Sequence, residues 1–457
     1  MNKLFIFIFI SFSWVHATLI GSNFDKRDIQ ILNELDIDPS FITDYELQQT
    51  YNRYLRANKE YYKQKLSDAT LFVPKIKDIL RNEGIPSSFV YLAMAESNFL
   101  LSARSKVAAM GLWQFMPETG QHYGLKNNLY VDERMDLVKS TYAATKYLKR
   151  LHETFGKWYL AAMAYNCGEG RIIEAITRAT IDMYVDENGS KAKKDEISEY
   201  RKIIRDYQQK RVRFRELYKI YKEVSTWDVK PDVYQLLVVQ KKINRQYIPN
   251  ETRNYIRKII SLGMMNNKSF IADDDAHLIN IGSTATSIAT IKVKGGIHLK
   301  SVAKAIGMNY KELASLNRHI KQMIVPPMAK EYDVYIPYSR LSRFNLNKES
   351  MKQDTFKIHL VRSGDTLGGI GRKYGLSYKI IKNFNQLRSN ILSINQKLII
   401  PIPSDYKEVQ QKAYFVKSGD TLALISRKFN VNLKKLMLDN NLTNSHINVG
   451  DKLVVNY

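Results

Sequence analysis

Residues 86–99 read PSSFVYLAMAESNF, an almost wholly apolar segment that reaches a carboxyl at Glu96 and turns polar at Ser97 and Asn98. Proline is well accommodated in the first turn of a helix, so Pro86 predicts a helix start. A helix that is apolar on all sides belongs in a core, which puts Glu96 at or near the end of a buried element. Outward from this segment the pattern stays helical. Over 25–80, Ile29, Leu32, Leu47, Tyr51, Tyr54, Leu55, Tyr62 and Leu66 fall at mixed three- and four-residue spacings, which predicts helices with tyrosines docked on a neighbour. Further helices are predicted over 136–153, 157–166, 170–181, 195–222 and 232–243. The charged stretch 186–194, with Gly189, reads as a loop.

Past about residue 275 the texture changes to short β-rich and helical runs that repeat. Ser363-Gly364-Asp365-Thr366-Leu367 returns as Ser418-Gly419-Asp420-Thr421-Leu422. Asp365 to Asn385 spans 20 positions, as does Asp420 to Asn440, and Leu398 and Leu453 each follow their aspartate by 33. A worn copy precedes them: Gly296, Leu299, Val302 and Asn317 lie 68 positions before Gly364, Leu367, Ile370 and Asn385. Its closing Pro337 lies only 64 before Pro401. The first copy therefore carries a four-residue insertion, expected near Pro326-Pro327, and Ile297 stands in place of the aspartate. Each copy reads strand, helix, helix, strand, with Asp365-Thr366 suited to cap the helix that starts at Leu367. The polar, charged joins at 338–354 and 402–412 read as flexible linkers.

A chain of 457 residues is too long for one typical core, and 44% apolar residues argue against wholesale disorder. Asn2-Lys3, the apolar run Leu4–Val15 and the small-residue stop at Ala17 read as an export signal over 1–17. The run is short of the ~20 residues of a membrane span. No cysteine lies near Ala17, so no lipid-anchor cysteine is expected. Cys167 is the only cysteine; it reads as an inert buried thiol, and no internal disulfide or cysteine-based metal site is expected. The formal net charge of +25 calls for an anionic partner. With no basic-aromatic module or zinc spacing, nucleic acid is not expected; weak association with anionic envelope surfaces is.

Four motifs in order carry a family resemblance: Glu96-Ser97-Asn98-Phe99, Gly111-Leu112-Trp113-Gln114-Phe115-Met116-Pro117, Ala164-Tyr165-Asn166-Cys167-Gly168, and Pro249-Asn250-Glu251-Thr252 with Tyr255. The stretch from about 72 to 180, with 247–260, resembles the family 1 lytic transglycosylase domain, and the Gly-Asp-Thr-Leu repeats resemble LysM modules. The resemblance implies a multidomain chain. A mainly α-helical, lysozyme-like (goose-type) catalytic domain would be followed by small α+β (βααβ) LysM modules. The expected parts are an N-terminal helical extension over 18–70, the catalytic domain with its helical extension over 71–270, a degenerate LysM-like module over 288–338, and LysM modules over 355–402 and 413–457. One departure is Ala108-Ala109-Met110 where the family has Gly-Ala before its Gly-Leu-Trp-Gln run. Alanine is tolerated there unless the backbone needs a positive φ.

The chemistry implied is cleavage of the glycan strands of peptidoglycan in the bacterial periplasm, with no cofactor and no metal. Glycosidic cleavage needs a proton on the leaving oxygen, and a carboxyl gives one near neutrality only when burial lifts its pKa. A hydrolytic glycosidase adds a second carboxylate; the next acid after Glu96 is Glu118, which nothing marks as a partner. In the resembled family the muramic C6 hydroxyl is the nucleophile. Glu96 would serve as acid and then as base, leaving a 1,6-anhydromuramoyl end. Hydrolytic muramidase action and a non-catalytic wall-binding scaffold are the alternatives. Ser97, Ser105, Gln114, Met116, Tyr165, Asn166, Glu251 and Tyr255 are the supporting candidates. Trp113, Phe115, Tyr123 and Trp158 are possible sugar-stacking surfaces. Gly364, Asp365, Thr366, Leu367 and Asn385, with Gly419, Asp420, Thr421, Leu422 and Asn440, are the glycan-binding candidates of the repeats.

Overall fold

The computed structural model describes residues 26–128, 130–189, 193–239, 246–266, 287–321, 323–326, 329–351, 356–385, 387–401, 411–440 and 442–456. The export-signal reading of 1–17 and most of the 402–412 join lie outside them. No described helix is long and apolar enough to cross a membrane. The chain divides into two compact units. The first holds everything to Ile291 together with Ala314–His319 and Val334–Leu341; the second holds Lys292–Leu313, Ile320–Asp333 and Ser342–Tyr457.

The first unit is built from helices: α1 Lys26–Glu34, α2 Tyr45–Ala57, α3 Lys59–Ala69, α4 Val73–Asn82, α5 Val90–Ser97, α6 Pro117–His122, α7 Leu137–Phe155, α8 Trp158–Cys167, α9 Glu169–Asn188, α10 Lys194–Gln208, α11 Phe214–Val224, α12 Val233–Leu237 and α13 Asn250–Asn266. Apolar α5 and α8 form its centre: Leu92, Ala93, Ala161, Ala162, Met163 and Ala164 are fully or almost fully buried. Helix α13 packs on α5 and α8 and is backed by α2. There the Arg257 guanidinium meets Asp44, the residue that caps α2, at 2.8 Å. The residues before 70 thus form the outer wall of the helix that faces the site.

Three helix predictions change. The stretch 195–222 is two helices, because the chain turns between α10 and α11 with Lys210 at φ 59°. Helix α9 runs on to Asn188, through charged residues that periodicity alone assigned to a loop. Of the predicted 232–243 helix, only Val233–Leu237 is helical among the described residues.

The repeats have the predicted order. In the second copy β3 Phe356–Leu360 pairs antiparallel with β4 Lys397–Pro401, Ile358 opposite Ile399, and encloses helices Leu367–Tyr374 and Tyr378–Phe384. In the third, β5 Gln411–Phe415 pairs with β6 Lys452–Asn456, Ala413 opposite Val454, around Leu422–Lys428 and Leu433–Asp439. The first copy has its own β-pair, β1 over Ile288–Lys294 and β2 over Glu331–Pro337. One asparagine ties each copy together. Asn317 donates to the Tyr335 carbonyl and accepts from the Tyr335 N–H, and Asn385 and Asn440 do the same with Ile399 and Val454. The separation is 18 residues in the first copy and 14 in the others, which locates the four-residue insertion between Asn317 and Tyr335. Of the 338–354 join, Tyr338 to Ser350 is helical and not slack, and Asn347 donates to the Ala305 carbonyl.

Candidate active site

Helix α5 stops one residue past the carboxyl because Asn98 and Phe99 take left-handed backbone, φ 49° and 61°. Asparagine is the commonest choice after glycine for such a cap. Glu96 therefore sits in the last turn, partly exposed along one edge while its carboxyl is closely surrounded. Tyr255 on α13 donates its hydroxyl to Glu96 Oε1 at 2.5 Å. Lys258, one turn further along α13, donates to the Ala95 carbonyl at 2.8 Å. Burial pushes the Glu96 carboxyl up to about 7; the Tyr255 hydrogen bond and the Lys258 charge pull against that rise, and the Glu251 charge adds to it. Burial also holds the Tyr165 and Tyr255 phenols well above their usual range, helped by the nearby Glu96 charge. Both tyrosines are thus hydrogen-bond donors and not acids at any working pH.

Linked to the carboxyl through Tyr165 is the loop 103–116, laced to itself. Gly111 N–H donates to the Ala103 carbonyl, Met110 N–H to Phe115, and Ser105 N–H to Ala109. Gln114, at φ 48°, spends its amide protons on the Ala103 and Gly111 carbonyls. Ser105 Oγ accepts from the Ala109 N–H, so it shapes the loop. Beneath the loop runs buried Arg134. It is paired with Asp132 at 2.8 Å and donates to the carbonyls of Ala108 and Phe115. The approach is close enough that a Cβ on Gly111 would lie 1.9 Å from the Arg134 carbonyl oxygen, so only glycine fits. Ala108 has φ 66°: the residue standing where the resembled family has glycine occupies the one conformation in which alanine is strained.

The other candidates fall in three groups. Tyr165 donates to the Trp113 carbonyl at 2.7 Å, and Asn166 accepts from Thr252, fastening α8 to the loop and to α13. Ser97 turns inward and donates to Ala93. Met116 and Glu251 are exposed; Glu251 is a second carboxylate whose charge reaches Glu96. Trp113 and Phe115 offer no sugar face. Both are buried, and the Trp113 indole N–H is spent on Thr141. Trp158 stacks on His152 at 3.9 Å, and Tyr123 lies in a row of rings with Tyr147 and Tyr165.

In the repeats, Gly364 and Gly419 have φ 86° and 85°. Asp365 accepts from the Arg362 N–H and His359, Asp420 from the Lys417 N–H and Tyr414. Thr366 and Thr421 cap the following helices, and Leu367 and Leu422 are core. With Asn385 and Asn440 tied to a strand, these side chains build the loop.

Pattern reading overlooked Lys258, Arg134 and Asp132. Lys258 sits in the segment with Glu251 and Tyr255, so helical spacing from Tyr255 was a usable signal for it.

Residues 75–182 match the Transglycosylase SLT domain family, 287–353 the Lytic transglycosylase MltD, LysM-like domain, and 359–401 and 414–456 the LysM domain. Membrane-bound lytic murein transglycosylase D of Escherichia coli K12 is 26% identical over 427 residues, 88% of this chain and 80% of that protein. N-acetylmuramoyl-L-alanine amidase sle1 of Staphylococcus saprophyticus is 31% identical over 182 residues, 38% of this chain and 53% of its own. The spore cortex-lytic enzyme SleL of Bacillus cereus shares 34% identity over 22% of each chain, at a TM-score of 0.10.

Proposed function

From a lytic transglycosylase that joins an SLT domain to LysM modules, we propose that this chain cleaves the MurNAc–GlcNAc β-1,4 bond of peptidoglycan without water and releases 1,6-anhydromuramoyl ends. The supporting observation is the Glu96 carboxyl, pushed to about 7 and held by Tyr255. Protonated near neutrality, it donates to the scissile oxygen. As a carboxylate it then takes the proton from the muramic C6 hydroxyl as that oxygen closes on C1. The nucleophile belongs to the bound sugar, so the second step gains from enforced proximity. Tyr255 and Lys258 stabilise the transient carboxylate, the Arg134-braced loop carries Gln114 and Met116 along the strand, and the Gly364–Leu367 and Gly419–Leu422 loops hold neighbouring glycan.

The same reading places the chain outside the cytoplasm, with 1–17 as export signal and 71–270 as catalytic domain. Its net charge of +25 favours retention on the anionic envelope. Digestion of purified sacculi with mass analysis of the products is the test. Anhydromuramic ends, each lighter by one water than the hydrolysed end, are expected from the wild type and none from Glu96→Gln. Reducing muramic ends alone would assign water as the nucleophile, with Glu251 the carboxylate to examine. Undiminished cutting by Glu96→Gln would remove Glu96 from the chemistry.

A further inference from the structure

Lys258 has no part in any motif above, yet it is bonded to the residue next to Glu96 and its charge acts on the Glu96 carboxyl. It follows Tyr255 by three positions on α13, so the two side chains leave the same face of one helix. Tyr255 reaches the Glu96 carboxyl, and Lys258 reaches the carbonyl of the adjoining residue, Ala95. That carbonyl belongs to the last turn of α5, where carbonyls have no helical N–H to accept from. The ammonium supplies the missing donor. It is partly buried, and an aliphatic stem with a desolvated charge is an expensive way to satisfy one carbonyl if that were its only task.

We infer that Lys258 is a positioning residue for Glu96, holding one fixed positive charge beside the reacting carboxyl and so setting its strength as an acid. The inference rests on the reading of Glu96 as acid and base. The titratable groups facing Glu96 are Tyr165 from α8 and Glu251, Tyr255 and Lys258 from α13. Both tyrosines stay neutral, so the local charge is set by Lys258 against Glu251. Burial lowers the Lys258 pKa and the Glu96 charge restores part of it, so each group favours the other's ionised form. When Glu96 gives up its proton to the leaving oxygen, the new carboxylate forms beside a charge already in place, with no reorganisation of solvent.

The test is kcat/KM against pH on soluble glycan strands for the wild type, Lys258→Gln, Lys258→Met, Lys258→Arg and Glu96→Gln. Activity of the wild type should fall as pH rises through about 7, where Glu96 loses its proton. In the two neutral variants the fall should move up by about one pH unit, the low end of what one nearby opposite charge confers, and the plateau should drop about tenfold. Lys258→Arg, whose charge does not titrate, should keep the wild-type midpoint. A purely structural lysine predicts a lower plateau with an unmoved midpoint, and that result overturns the inference. Should both neutral variants fail to fold, a moved midpoint in Lys258→Arg does so. An inactive Glu96→Gln beside an unmoved Lys258→Gln midpoint refutes Lys258 alone, whereas an active Glu96→Gln refutes the assignment of the acid.

Discussion

Replacing Glu96 by Gln should make the catalytic unit more stable in alkali than the wild type. The carboxyl carries a native pKa of about 7 against an ordinary 4.5. A group whose pKa is raised by folding contributes its stability below the unfolded value and loses it as pH climbs through the folded one. The difference of about 2.5 units, at ~1.36 kcal/mol each, is about 3 kcal/mol lost between roughly pH 4 and pH 8. Glutamine keeps the shape and can still accept from Tyr255, but it does not titrate. The gap between variant and wild type should therefore widen by about 3 kcal/mol in the variant's favour over that range. Urea unfolding followed by tryptophan fluorescence reads this in the full chain. Of the four tryptophans only Trp14 lies outside the described residues, and Trp113, Trp158 and Trp227 all belong to the first unit. A gap that is the same at pH 4.5 and pH 8 would refute the claim that burial controls this carboxyl.

Tyr255→Phe removes a hydrogen bond to a charged acceptor, worth about 1.5–3 kcal/mol; kcat should fall about 10- to 100-fold, and the alkaline midpoint of the pH–rate profile should rise. Ala108→Gly relieves left-handed backbone that costs an L-residue about 1–2 kcal/mol, less the entropy of a freer unfolded chain, so urea unfolding should show a gain of about 0.5–1 kcal/mol. Asn385→Ala breaks the bonds to the Ile381 and Ile399 carbonyls and from the Ile399 N–H. At about 1 kcal/mol each, that suffices to unfold a module this small. Circular dichroism should show the loss, while the tryptophan transition stays where it was.

What the sequence made legible was whatever repeats or runs. The apolar lead into Glu96 placed the carboxyl at the end of a buried helix, and the matched 20- and 33-residue spacings gave the βααβ modules with the insertion in the first. Partners across long separations were not legible in the periodicity; Tyr255 came only from the motif resemblance. Nothing in the periodicity of 250–266 says that Tyr255 and Lys258 face Glu96, 159 positions away in the case of Tyr255. Nothing in the sequence marks Arg134 as the buried partner of Asp132 beneath the loop. Trp113 shows the same limit from the other side: a core tryptophan and a sugar platform are spelled alike. The first repeat is the largest surprise. Its Tyr335 donates to Asp136 at 2.5 Å, and its His319 lies 3.5 Å from the same carboxylate, all three buried in the first unit. The degenerate first copy is thus partly built into the first unit, and its lost aspartate is no guide to its importance.

The most direct measurement is the titration of the Glu96 carboxyl carbon itself, followed by NMR in glutamate-labelled protein with Glu96→Gln to assign the signal. A midpoint near 7 is the result expected of a proton donor at neutral pH. A midpoint at the ordinary glutamate value near 4.5 would mean the carboxyl is already ionised when the glycan arrives, and the account of the chemistry would be wrong.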